Sequence, residues 1–233
     1  MGCIVAIDGP VGAGKGTVAA QVARQCQLAH VDTGAIYRVL AYAAAQAGVC
    51  LEDPPAVARL AAQLHVRMHN SIDAVQVWCN DQDVSDLIRT QAIGEAASCI
   101  AQHAVVRQAL LPLQRKIALS HPRGAVVEGR DMGTVVFPNA HIKVFLTASA
   151  TQRARRKHAQ LLQKGEHVSH ESVLQSLQKR DERDTNREIA ALAVAPGATT
   201  IDSTHLTARQ VADQICMDVQ NWLAQHATPS HNP

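Results

Sequence analysis

Short apolar runs alternate with longer amphipathic stretches along most of this 233-residue chain. Cys3-Ile4-Val5-Ala6-Ile7 is unbroken and stops at Asp8-Gly9, which predicts a strand buried on both faces. Lys15 to Gln27 predicts a helix, and Leu28-Ala29-His30-Val31 a second strand ending at Asp32-Thr33-Gly34. Alanine-rich Ala35 to Ala47 and then Pro54 to Leu64 predict two more helices. From His65 to about Ser85 the period changes to two, with Val66, Met68, Val75, Val77 and Val84 alternating with polar residues, so a small antiparallel sheet is expected there. The helical pattern returns from Ile93 to Ser120 and ends at His121-Pro122-Arg123-Gly124. Ala125-Val126-Val127 predicts a buried strand leading into Glu128-Gly129-Arg130-Asp131, and Ile142 to Leu146 another. Two charged helices, about Ala150 to Lys164 and Ser169 to Asp184, flank Gly165. Thr199 to Asp202 is a last strand, and Val211, Ile215, Val219 and Trp222 recur along one face of a final helix. Ala227 to Pro233 reads as a disordered tail. Strands alternating with helices predict an α/β domain on a parallel sheet, with its ligand crevice at the carboxyl ends of the strands. The turns after Ile7, Val31 and Val127 are all such ends and should converge.

Chemistry enters at Gly9-Pro10-Val11-Gly12-Ala13-Gly14-Lys15-Gly16-Thr17, between the first strand and the first helix. The spacing Gly9-x4-Gly14-Lys15 fits a P-loop, in which backbone N–H groups and the helix N-terminus cradle a phosphate chain and Lys15 reaches the β- and γ-phosphates. The Ser/Thr that usually follows the lysine and ligates Mg²⁺ is Gly16 here, with Thr17 one place later. That ending resembles the nucleoside monophosphate kinases rather than the GTPases, and no Asn-Lys-x-Asp guanine motif is found. The resemblance implies a metal held by nucleotide phosphates and water, with protein carboxylates acting through the water.

Composition narrows the class. Hydrophobic residues make up 47% of the chain, enough for one core with an inserted lobe, while 3% aromatic residues argue against base-stacking platforms. A formal charge of +2 is too mild to argue for nucleic acid. The six cysteines contain no C-x-x-C pair and read as small core residues of a reducing compartment. With no signal peptide and no 18-residue apolar run in view, a soluble cytoplasmic protein is expected. His65/His69 and His167/His170 lack further partners at zinc-like spacing and read as surface histidines.

Several longer blocks resemble the bacterial cytidylate (CMP) kinases: Ile7 to Thr17, Asp32-Thr33-Gly34-Ala35-Ile36-Tyr37-Arg38, Ile88-Arg89-Thr90, Ala96-Ala97-Ser98, Val106 to Leu110, Glu128-Gly129-Arg130-Asp131-Met132-Gly133-Thr134 through Pro138, Lys179 to Arg187, and Ile201 to Thr204. The resemblance implies a P-loop three-layer sandwich on a central five-stranded parallel sheet, with an NMP-binding lobe inserted at about 65–95 and a short lid at about 155–168. It implies ATP and CMP or dCMP as substrates, Mg²⁺ as Mg-ATP, and a monomer that engages neither nucleic acid nor membrane.

Its residue assignments agree with what phosphoryl transfer requires, which is positioning and charge stabilisation rather than a strong nucleophile. Gly9 to Thr17 would hold ATP, with Arg153 and Arg156 entering from the lid; of the basic run Arg153, Arg155, Arg156 and Lys157, some members are expected only to be solvated. Arg38, Arg130 and Arg187 resemble the arginines that grip the CMP phosphate, a task suited to a planar fork. Lys15, Arg130 and Arg187 would be the catalytic cations. Cytosine needs an acceptor facing N4 and donors facing N3 and O2; Asp131 supplies the first, Arg107 and Ser98 the others. Thr33 completes the CMP set, and Arg180 and Asp184, with Arg187 at i, i+4 and i+7 of one helix face, turn toward the ribose and phosphate. No direct metal ligand is expected; Asp32 and Glu128 would act through water, and Glu128 stands where the family often carries Asp. Val11 replaces a frequent Ser, with modest consequence expected because backbone amides do the cradling. The rival readings are a kinase for another small acceptor such as UMP, and a nucleotide-sensing P-loop protein without turnover.

Overall fold

The computed structural model describes residues 2–70, 75–163 and 165–226. Ala227 to Pro233, and Lys164 at the expected end of a helix, therefore lie outside the described residues. A five-stranded, all-parallel sheet forms the centre, from β1 (Cys3–Asp8), β2 (Ala29–Asp32), β6 (Gly124–Gly129), β7 (Ile142–Thr147) and β8 (Thr199–Asp202), in the order β2-β6-β1-β7-β8. β1 is central because its alternation is apolar on both faces. Cys3, Val5 and Ile7 join one core with α1 (Lys15–Cys26) and α8 (Ala208–His226). Ile4 and Ala6 join the other with α2 (Thr33–Gln46), α3 (Pro54–Gln63), α4 (Gln91–Ile100) and α5 (Ala104–Leu119). Helices thus cover both faces of the sheet, as parallel strands require.

The change of period after His65 is a separate antiparallel sheet, β3 (Val66–Asn70), β4 (Val75–Cys79) and β5 (Gln82–Asp83), whose Val66, Val77 and Cys79 pack into the α2-side core. α6 (Ala150–Gln163) and α7 (His170–Asn186) share a small cluster of Ala154, Val173 and Leu177. Val11 packs against that cluster, so the residue that replaces a frequent serine ties the P-loop to these helices.

Four expectations need correction. The helix expected from Ile93 to Ser120 is two helices: His103 is extended (φ −84°, ψ 120°), and the Arg107 guanidinium donates to Ala101 O at 3.1 Å, capping the first helix and closing the break. α2 starts at Thr33 rather than Ala35, because the Asp32 carboxylate accepts from Ala35 N at 3.1 Å and turns the supposed loop into a helix start. Arg187 does not share a helix face with Arg180 and Asp184; it caps the end of α7 with extended angles (φ −67°, ψ 141°). Finally, Cys3, Cys26, Cys79 and Cys216 are buried, but Cys50 and Cys99 are exposed. A further element, one turn of π-helix over Met132–Val136, had no signal in the pattern.

Candidate active site

The P-loop leaves the sheet at Asp8 and enters α1 through Gly14, whose left-handed angles (φ 94°, ψ 14°) suit glycine and aim the first amides of α1 into the loop. A cavity of about 490 Å³ opens beside it, lined by Gly12, Gly14, Thr17, Arg156, Lys157 and Ser203 among others. Lys15 is buried beneath, its ammonium donating to Pro10 O at 2.9 Å. Two arginines of α6 brace this loop. Arg153 donates to Val11 O at 3.0 Å and to Ala148 O at 2.9 Å, and pairs with Asp181 at 2.6 Å. Arg156 donates to Ser203 Oγ at 3.0 Å and Ser203 O at 2.6 Å.

Across the carboxyl ends of β2 and β6 lies a second cavity of about 100 Å³. Thr33, Arg38, Ser98, Arg107, Arg130, Asp131, Arg180, Asp184 and Arg187 all line it, with Asp32 and Glu128. They arrive from α2, α4, α5, the turn after β6, and α7. Their pairing is specific. Arg107 donates to Asp131, both buried. Arg130 Nε donates to Asp184 Oδ2 at 2.8 Å. Arg38 Nη1 donates to Ile88 O at 3.0 Å and Thr90 O at 3.3 Å, so α2 holds the segment that follows the small sheet. Thr33 donates to Glu128 O at 2.7 Å and ties the two strand ends together.

The electrostatics are those of an anion site. Burial, reinforced by Arg130, pushes the Lys15 ammonium down to about 7, and the same two causes take Arg180 down to about 10. Burial also lowers Arg38 and Arg187. The crowded cations are thus short of counter-charge. Among the described residues, Arg180 Nε, Arg187 Nη2 and the Tyr37 hydroxyl are buried with no hydrogen-bond partner, and all three residues line the second cavity. On the carboxylate side, burial pushes Asp32 up and Glu128 adds to it. Glu128 itself is held below its ordinary value: burial opposes its charge, but His30, Lys15 and Arg130 outweigh it.

Four residues escaped the sequence reading. Tyr37 sits with its ring 5.5 Å from the Arg107 guanidinium, and burial pushes its hydroxyl up to about 12. It lies one helical turn after Thr33, a signal that was available. Arg183 donates to Ser98 Oγ at 3.2 Å, linking α7 to α4. Asp8 accepts from Met132 N at 2.8 Å and Gly133 N at 2.7 Å, and His30 contacts Glu128. The last two join residues about a hundred positions apart, which no local pattern signals.

A family model described as cytidylate kinase matches residues 5–221. The chain is 46% identical over 218 residues to the cytidylate kinase of Azotobacter vinelandii, covering 93% of this chain and 94% of that one. It is 42% identical over 228 residues to the cytidylate kinase of Geobacter sulfurreducens, covering 98% and 96%. A solved structure of an uncharacterized protein from Eubacterium ventriosum superposes with a TM-score of 0.50 at 12% identity, over 94% of this chain and 98% of that one, a likeness of fold alone.

Proposed function

The chain belongs to the cytidylate kinase family, and from that premise we propose that it moves the γ-phosphoryl group of ATP to CMP and dCMP, acting as a monomer on a site built from one chain. As a CMP kinase it is a phosphotransferase. The observation that carries the ATP reading is the meeting, at one edge of one sheet, of a P-loop with its buried lysine and a cavity lined by three arginines, Arg38, Arg180 and Arg187, whose charge burial disfavours.

In this reading ATP lies along Gly9 to Thr17, and Arg153 and Arg156 hold the loop that cradles it. CMP lies in the second cavity. Arg38, Arg130 and Arg187 grip its phosphate, Arg180 and Asp184 its ribose, and Asp131 accepts from cytosine N4 while Ser98 and Arg107 face O2 and N3. Thr33 closes the phosphate side. A CMP phosphate oxygen, already an anion, attacks the γ-phosphorus; the bond to the β–γ bridging oxygen breaks, and ADP leaves with that electron pair. Lys15, Arg130 and Arg187 stabilise the charge spread over the transferring group.

Asp32 and Glu128 are register partners at the ends of β2 and β6 and line the acceptor cavity. Two adjacent hard carboxylates suit Mg²⁺, which keeps most of its water. Bound there with ATP, the ion would offset the charge of the β- and γ-phosphate oxygens. At about 100 Å³ the acceptor cavity is smaller than the roughly 300 Å³ at which ligand sites begin. Entry of CMP must therefore part the walls, which come from α2, α4, α5, the turn after β6 and α7, and we take the 65–95 lobe and the 155–168 lid to move with them. Measuring ADP release with CMP, dCMP, UMP, AMP and GMP tests the assignment: CMP and dCMP should be the fastest acceptors, and no turnover with CMP would overturn it.

A further inference from the structure

We propose that His30 is a positioning residue for phosphoryl transfer: its imidazole holds the Glu128 carboxylate against the start of α1, where that carboxylate serves the Mg²⁺ of bound ATP. The inference rests on the kinase reading above. His30 Nε2 lies 3.1 Å from Glu128 Oε1, and both side chains are buried, at 7% and 8% exposure. An ionised carboxylate only accepts, so the imidazole donates from Nε2.

The backbone explains why the two meet. Asp32 is the register partner of Glu128, and His30 that of Val126. His30 and Glu128 are therefore diagonal neighbours on the face that carries Val126 into the α1-side core. The same carboxylate oxygen reaches α1 from the other side. A Cβ built on Gly16 would stand 3.0 Å from Glu128 Oε1, so Glu128 occupies the space where a P-loop serine or threonine side chain would begin. The absence of a hydroxyl at position 16, the glutamate at 128 in place of a frequent aspartate, and a polar residue in the middle of the buried strand β2 become one arrangement. An aspartate at 128 would fall about one C–C bond, roughly 1.5 Å, short of His30. Glutamate gains that reach at the cost of an extra rotatable bond, and the imidazole removes the freedom. An outer partner that orients a metal-serving group this way typically contributes 10–100-fold to affinity or activity.

The test uses the full chain and a non-hydrolysable ATP analogue, with binding measured by calorimetry with and without Mg²⁺. In His30→Leu the gain in affinity that Mg²⁺ confers should fall by about tenfold. Binding without Mg²⁺ should stay within about twofold, kcat should fall with it, and KM for CMP should hold. His30→Gln, whose amide still donates, should recover part of the loss. Glu128→Asp should show the same loss, and His30→Leu combined with Glu128→Asp should be no worse than either alone. A folded His30→Leu with wild-type Mg²⁺-dependent binding overturns the proposal, as do losses that multiply in the double variant. Should His30→Leu not fold, wild-type Mg²⁺-dependent binding in Glu128→Asp overturns it equally. The binding arm contains no acceptor, so a wild-type protein inert toward CMP would sink the kinase reading while leaving the His30 result to stand or fall by itself.

Discussion

Lys15 is a cation that folding has made reluctant to be charged. Its ammonium is buried among arginines and held near 7, so in the unliganded protein at pH 8 it is mostly neutral. The unfolded lysine holds its proton to about 10.4, so the unfolded chain binds more protons between pH 7 and 10, and this residue makes the unliganded fold more stable as pH rises through that window. A polyphosphate alongside reverses the balance, because the charged form then has its partner. Nucleotide binding at pH 8 should take up about one proton through Lys15, read by calorimetry in buffers of different ionisation heat, and Lys15→Met should abolish the uptake. The same variant should lose roughly 10²-fold or more in kcat while keeping its fold, since the lysine's charge is most useful in the transition state. In the proposed reading Asp131 sets the choice of base by a different route. Uracil places an oxygen where cytosine places N4–H₂, so a carboxylate there rejects it by leaving two acceptors face to face. Asp131→Asn can present either amide atom, and the CMP:UMP ratio of kcat/KM should fall about tenfold, roughly 1.4 kcal/mol; an unchanged ratio in an active variant would move discrimination to Ser98 and Arg107.

Among the elements, what was legible was whatever repeats locally. β1, β6, α1 and the antiparallel strands all follow from runs, alternation and glycine placement. The break between α4 and α5 did not, because Ala101-Gln102-His103 contains neither glycine nor proline; it is held by the side chain of Arg107, six residues on. The π-turn over Met132–Val136 was equally silent, being shaped by a carboxylate 124 residues away. The candidate site shows the same division. The resemblance to the cytidylate kinases, more than residue type or spacing, picked out the nine residues that line the second cavity, but not that Arg187 arrives from a helix end or that Tyr37 lies under Arg107. Arg38 matters at this scale because it serves two elements: it lines the second cavity and holds the carbonyls of Ile88 and Thr90. Arg38→Met and Arg130→Met should each weaken CMP by about 2 kcal/mol or more through lost charge-assisted bonds, with ATP binding measured alone little changed. Arg38→Met should in addition speed amide exchange around Ile88 and Thr90; equal loss for both nucleotides would argue against separate subsites.

For the molecule as a whole, the sheet divides the labour. Its two faces carry separate apolar clusters, and the chemistry collects at the edge where β1, β2 and β6 end. Damage far from that edge should therefore cost stability and spare rate. Ile215→Ala, in the fully buried face of α8, should lower the unfolding free energy by about 2–5 kcal/mol in urea titration while kcat at 25 °C stays near wild type. Asp8 is where this division ends. Its carboxylate, at the tip of the strand that launches the P-loop, accepts both amides at the head of the turn that carries Arg130 and Asp131. In the proposed reading the floors of the ATP and CMP subsites are thereby joined through one carboxylate, which would set the gap a phosphoryl group crosses before either nucleotide arrives. The amides of Met132 and Gly133, though in neither α-helix nor sheet, should exchange with solvent as slowly as those of β1. Asp8→Asn, which turns one of its acceptors into a donor, should release one of them at a cost of about 1–3 kcal/mol.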